Sequence, residues 1–268
     1  MRASEGLNNV RRLKFQLSYQ LSIQFSQAVS QHHYALRLLP RLASGVHIHR
    51  QQLSVLGMHD QGELRDGFAN QLIYGNYASA HTHFEVGYQA VVSRELVFSS
   101  DLPVDWFSSP TLLTRADDQL LAQWMVYRPE LPVFEQAMHI MQQVFSRMTY
   151  LKGSTQVWHG VDRVLQQPTG VCQDYAHVMI ALLRFIGIPA RYVAGVAQGE
   201  GETHAWVESW IDGWWQGFDP THNCMVSYQD AYIPIAVGRD AADCPLNMGQ
   251  FVGQAEQVLS VQTQLLPA

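Results

Sequence analysis

Residues 13–29, LKFQLSYQLSIQFSQAV, place Leu13, Phe15, Leu17, Tyr19, Leu21, Ile23 and Phe25 at every second position. A helix face repeats every 3.6 residues, so a repeat of two sustained over this length predicts a strand with one buried side. The same alternation recurs at 47–55 and 82–92, and again in QVLSVQTQLL near the C-terminus, which should be a closing strand. Between the second and third of these segments, DGFANQLIYGN is rich in turn formers. The first hundred residues therefore predict antiparallel strands in a sandwich or half-barrel.

The pattern then changes. SSDLPVDWFSSPTLLT, dense in Ser, Pro and Asp, marks a boundary. Helical spacing follows, interrupted by Pro129 and Pro132, and predicts helices at 116–127 and 132–148. A third helix begins after Gly170. Its stripe is Cys172, Ala176, Met179 and Leu183, and Gly187 followed by Pro189 ends it. Strands are expected at 191–197, 204–211 and 214–218, the last two joined by the hairpin signal Asp212-Gly213. The fold class is thus α+β. An N-terminal antiparallel β-sandwich-like domain (1–110) precedes a second domain (111–268, core 132–222) in which a helix carrying Cys172 packs on an antiparallel sheet.

Charge narrows the partners. Seventeen basic and 23 acidic residues give a formal net charge of −6, which argues against nucleic acid or an anionic membrane surface. No run of about 18 apolar residues predicts a membrane span. The opening MRASEGLNNVRR lacks the apolar segment of a secretion signal, and a cytoplasmic location is expected. Three cysteines, Cys172, Cys224 and Cys244, fit a reducing compartment without a disulfide framework. With two lysines, Lys14 and Lys152, the chain is a poor amine substrate for itself.

Residues 170–220 hold the chemistry. Cys172 opens the third helix, His204 opens a strand and Asp219 ends the next. A free thiol is mostly protonated near neutral pH, whereas the thiolate is the reactive form. The first helical turn favours negative charge by about 0.3–1 kcal/mol, and its N–H groups can face a developing oxyanion. That effect alone is too small. An imidazole in hydrogen-bond reach can hold the proton as an imidazolium, and a carboxylate on the other ring nitrogen fixes its tautomer. Cys172, His204 and Asp219 are the candidates for nucleophile, base and orienting acid, and the N–H of Cys172 is the candidate oxyanion donor.

Competing readings exist for each residue taken singly. A cysteine on an apolar helix stripe is commonly a small core residue, a histidine at a strand start is commonly structural, and Asp-Pro commonly makes a turn. The joint pattern of glycine before cysteine, a helix behind it, then HAW and FDPT outweighs them. His47 with His49, and His81 with His83, put two imidazoles on one strand face, but no acidic or cysteine partner stands at ligand spacing. His177 is expected to pack in the helix, and Asp174 to support the helix start with its side chain turned from the thiol. Cys224 lacks a helix-start setting. Trp158, Trp206, Trp210, Trp214 and Trp215 suit core or groove wall.

Together GVCQDYAH, GIPARYVAGV, HAWVESW and GFDPT resemble the bacterial transglutaminase-like superfamily, often described as candidate cysteine proteases. AVGRDAAD, at 236–243, is similar to the segment after that family's core, and the strand-rich start resembles its N-terminal domain. The resemblance implies a papain-like α+β core with Cys172, His204 and Asp219 as a catalytic triad, and no metal or organic cofactor. One departure is Asp66-Gly67-Phe68-Ala69-Asn70, where the family usually carries glycine at the position of Ala69. If that position takes positive φ, alanine there is strained. The first dozen residues look like an extension beyond the family's usual start.

The expected function is cysteine-dependent acyl transfer on a peptide or carboxamide bond through a thioester. Hydrolysis (protease or amidase) is preferred because water is always present and no dedicated amine site is visible. The alternatives are a protein-glutamine transglutaminase using an amine acceptor, or a non-catalytic peptide-binding module. The expected partner is a peptide or protein substrate, with no nucleic acid and no membrane. Substrate sequence and oligomeric state are not encoded in these motifs.

Overall fold

The structure is a computed structural model that describes residues 13–57, 59–98 and 100–268. The opening dozen residues, read above as an extension without a secretion segment, lie outside the described residues. Strands run at Lys14–Leu36 (β1), Val46–Val55 (β2), His59–Arg65 (β3), Gln71–Tyr77 (β4) and His81–Arg94 (β5). Helices Asp118–Trp124 (α1) and Val133–Arg147 (α2) follow, then a short strand Thr149–Tyr150 (β6), helix Val161–Gln166 (α3) and strand Thr169–Gly170 (β7). Helix Cys172–Phe185 (α4) leads into Ala190–Ala197 (β8), Gly199–Gly201 (β9), His204–Ile211 (β10) and Trp214–Asp219 (β11). Cys224–Val226 (β12), Tyr232–Gly238 (β13), Asn247–Val252 (β14) and Gln257–Pro267 (β15) complete the order.

The period-two segment is the spine of the first sheet. Phe15, Leu17, Tyr19, Leu21, Ile23 and Phe25 are all buried, while the residues between them are exposed or half-buried. The strand is longer than the alternation suggested, because β1 serves two sub-sheets. Its first half pairs with β5 and β15, and its second half with β4 and β14. The register breaks between Gln24 and Val29, and Gln31 takes φ 49°, so the strand turns a corner there. This produces the sandwich-like layering. DGFANQLIYGN is only partly a turn: its second half forms β4, whose Leu72 and Ile73 are buried. The last strand, β15, returns to lie against β1 along its length. The first sheet therefore draws on both ends of the chain.

The Asp66–Asn70 turn joins this sheet to the rest. Ala69 takes φ 59°, the left-handed conformation in which a side chain is strained. Asp66 Oδ1 accepts the N–H groups of Phe68 and Asn70, both at 2.9 Å, and holds the turn closed. Asn70, fully buried, then behaves like an extra strand residue toward β13. Its Nδ2 donates to Val237 O at 2.9 Å and its Oδ1 accepts from Val237 N at 2.8 Å.

The second sheet is antiparallel, in the order β12-β11-β10-β8-β13. Asp212 and Gly213 take φ 53° and 85°, as a tight β10–β11 hairpin requires. The helices lie on one face of this sheet. Ala176, Met179 and Leu183 of α4 are fully buried against Ala190, Tyr192, Ala205, Val207 and Phe218. Helix α4 is buried around its whole circumference, not on one stripe, because α1, α2 and α3 cover its other sides. No described helix is long and apolar enough to cross a membrane.

Candidate active site

Helix α4 starts at Cys172 because residues 170–174 form a self-closing unit. Val171 is extended (φ −109°, ψ −176°) and serves as the N-cap position. Asp174 folds back, and its Oδ2 accepts the Val171 N–H at 2.8 Å and the Thr155 hydroxyl at 2.7 Å. A side chain on Gly170 would meet the Asp174 carboxylate at 2.5 Å, so glycine is what allows the carboxylate into this position. Burial raises the pKa of Asp174 above the ordinary carboxylate value. As expected, its side chain faces the backbone and not the thiol. By its position in the first turn the N–H of Cys172 has no acceptor within the helix.

His204 opens β10 next to this helix start, close enough to Cys172 for the thiol to help hold up the pKa of its ring. Its Nε2 donates to Asp219 Oδ2 at 2.7 Å. The structure thus brings the three predicted residues into one chain of contacts. The hairpin explains the geometry: Val207 pairs with Phe218, which leaves Asp219 beside the start of β10. Burial alone works to lower the pKa of His204. The hydrogen bond to Asp219, then the contact with Cys172, outweigh it and hold the ring up at about 9. Asp219 is fully buried, which works to raise its pKa, yet its hydrogen bonds, first that from His204, hold it well below the carboxylate range.

Two of the groups on Asp219 were not foreseen. His222 Nδ1 donates to Oδ2 at 2.7 Å and Tyr232 OH at 2.8 Å, while the N–H groups of Thr221 and His222 donate to Oδ1 at 2.9 and 3.2 Å. His222 lies three positions after Asp219, a spacing from which a local pair could have been read. Tyr232 arrives from β13 and left no local signal. Burial, then the charge of Asp219, raise the Tyr232 pKa, so it stays a donor. Trp206, on the same strand face as His204, lies beneath the ring at 6.4 Å with an interplanar angle of 24°. A side chain at Gly195 would come within 2.5 Å of that indole, so the glycine makes room for it.

Cys172 and His204 both line a cleft of about 520 Å³. Tyr150, Lys152, Glu200, Glu202 and, from β15, Thr263 also line it. Lys152 Nζ meets Glu202 Oε1 at 3.2 Å across the rim, an exposed pair that parts at little cost. The other cysteines do not share this setting. Cys244 is buried, and burial raises the pKa of both Cys224 and Cys244. His177 is buried and its Nε2 accepts the Ala241 N–H at 3.1 Å, the packing role expected for it. The strand-face histidines have separate neighbours: His47 meets Glu95, His49 meets Ser93, His81 meets His32 and His83 meets Glu85.

Comparison with known proteins gives matches in both halves of the chain. Residues 121–220 match the family description "Transglutaminase-like superfamily", and residues 15–93 match "Bacterial transglutaminase-like N-terminal region". An uncharacterised protein of Mycobacterium leprae is 36% identical over 130 residues, covering 45% of this chain and 46% of that protein. A protein-glutamine gamma-glutamyltransferase of Pseudomonas aeruginosa is 34% identical over 111 residues, covering 35% of this chain and 17% of that enzyme. The chain spans about half the length of the mycobacterial relative. A crystal structure from Cytophaga hutchinsonii, described as a "Putative Cysteine Protease", superposes with a TM-score of 0.79 at 24% identity. It covers 96% of this chain and 92% of that one, and so shares the fold. With the mixed α+β fold and both family matches in hand, residues 121–220 carry a transglutaminase-like core and residues 15–93 a bacterial transglutaminase-like N-terminal region.

Proposed function

We propose that the chain is a cysteine-dependent acyl-transfer enzyme that acts on peptide or carboxamide bonds, with Cys172 as nucleophile, His204 as base and Asp219 as orienting acid. The observation that carries this reading is that Cys172 and His204 line one cleft while the His204 ring donates to buried Asp219 behind it. In the first step the thiolate attacks the carbonyl carbon and the oxygen takes the negative charge, facing the N–H of Cys172. The C–N bond then breaks, and the imidazolium of His204 gives its proton to the leaving amine. In the second step neutral His204 takes a proton from water, whose oxygen attacks the thioester. The acid leaves and the thiolate–imidazolium pair is restored.

Hydrolysis is the proposed fate of the thioester. One observation favours amine transfer as a second reading: the matching Pseudomonas aeruginosa protein is named as a protein-glutamine gamma-glutamyltransferase. The acids Glu200 and Glu202 at the rim also suit an incoming cationic amine. The test is to compare the intact protein with Cys172→Ala in two assays, cleavage of a peptide library and incorporation of a fluorescent primary amine into a glutamine-rich protein. Activity in either assay that vanishes in the variant supports the reading and selects its branch. Activity that survives the substitution refutes the assignment of the nucleophile. A peptide bearing a thiol-reactive electrophile gives a second readout, since peptide mapping must find it on Cys172 and not on Cys224.

A further inference from the structure

One cluster has a chemistry that acyl transfer does not use. Nε2 of His204, Oδ2 of Asp219 and Nδ1 of His222 lie within 4.8 Å of one another. Each nitrogen is 2.7 Å from the shared oxygen. We propose that these three groups form a reversible binding site for a divalent transition-metal ion of the zinc type, and that its occupation blocks the thiol chemistry.

The ligand set sets the metal class. Two imidazoles and one carboxylate suit zinc, cobalt and nickel, whereas calcium and magnesium prefer all-oxygen shells. A tetrahedral site with bonds of about 2.0–2.1 Å places its ligand atoms roughly 3.3 Å apart. Each N···O separation must therefore open by about 0.6 Å from its hydrogen-bonded length, while the two nitrogens draw together. The His222 ring, 58% exposed, is free to make that adjustment. The carboxylate is already oriented: Tyr232 OH donates to its Oδ2, and the N–H groups of Thr221 and His222 hold its Oδ1. His204, Thr221 and His222 all line the cleft, so an ion can reach the imidazoles from it.

Binding replaces the ring N–H that now points at Asp219 with a lone pair on each histidine. A neutral ring achieves this by moving its proton to the other nitrogen, and a charged ring by releasing one proton to solvent. Cys172 is not among the three grouped residues and is not a ligand of this site. While metal occupies Nε2, the ring cannot carry two protons, so the thiolate–imidazolium pair cannot form. The site itself rests on the positions of three side chains and stands independently of the acyl-transfer reading.

The experiment is calorimetric titration of the reduced, full-length protein with zinc chloride, using a phosphine reductant that leaves no competing thiol. The intact chain, Cys172→Ala, His222→Ala and His222→Gln are compared, each checked by thermal melt. One ion per chain is expected, with Cys172→Ala binding as tightly as the intact protein and both His222 variants binding at least about tenfold more weakly. Cobalt in place of zinc should give tetrahedral visible bands without sulfur-to-metal charge transfer. Loss of binding in Cys172→Ala, a sulfur charge-transfer band, or unchanged affinity in both His222 variants would each overturn the proposal, as would the absence of saturable binding in the intact protein. Because binding is read without turnover, this outcome is independent of whether an acyl substrate is found.

Discussion

The pH response of His204 is the sharpest consequence of the site. The ring titrates at about 9 in the folded chain, against about 6.5 for an unperturbed histidine. The folded state thus binds this proton more tightly than the unfolded state. At 1.36 kcal/mol per pKa unit the difference corresponds to about 3 kcal/mol of stability. This stabilisation is fully present below about pH 6.5, declines as the pH rises through the interval, and is gone above about 9. Cys172→Ala removes the part supplied by the thiol and keeps Asp219. His204 in the variant should therefore titrate below 9 and still above 6.5. Imidazole resonances followed by NMR in the intact chain and the variant read this directly, and denaturant melts across the same range read the stability. Under the proposed mechanism kcat/KM also falls on the alkaline side as the ring loses its proton near 9. A ring that titrates near 6.5 in the intact protein, or one unmoved by Cys172→Ala, would refute the reasoning.

Tyr232→Phe removes one of three donors on Asp219 Oδ2; a loss of about tenfold in kcat/KM with an unchanged melt is expected, of order 1.4 kcal/mol. Ala69→Gly relieves the left-handed strain at φ 59° and should stabilise the chain by about 1 kcal/mol in denaturant unfolding; a destabilised variant would mean the turn does not need the glycine conformation. Asn70→Ala strands the buried N–H and C=O of Val237 and should cost about 3 kcal/mol. A cost below about 1 kcal/mol would show that water or a relaxed backbone replaces the amide.

Several elements could be read from single residues because their causes are local. Period two in β1 follows from one buried face, Asp212-Gly213 follows from a positive-φ turn, and Gly170 with Asp174 marks where α4 must begin. The candidate residues Cys172, His204 and Asp219 were legible as an ordered set, since a helix start and a hairpin fix where each side chain points. What escaped notice depends on distant partners. The corner in β1 is imposed by β4 and β14 on one half and β5 and β15 on the other. Tyr232 reaches Asp219 only because β13 packs beside β8. β4 was hidden because Gly75 and Asn76 carry turn-like composition within a paired strand.

The far wall of the cleft is not finished by the segment that carries the thiol. Thr263 on β15 donates to the carbonyls of Gly201 and Glu202 at 3.3 and 3.1 Å, and β15 is the strand against which β9 pairs. During synthesis, Cys172, His204 and Asp219 all emerge before the residues that brace the approach to His204. A growing chain that has reached residue 220 therefore holds all three proposed catalytic residues while lacking a strand that lines the cleft. Assembly order itself delays a fully formed cleft until β15 has left the ribosome and closed against the first sheet.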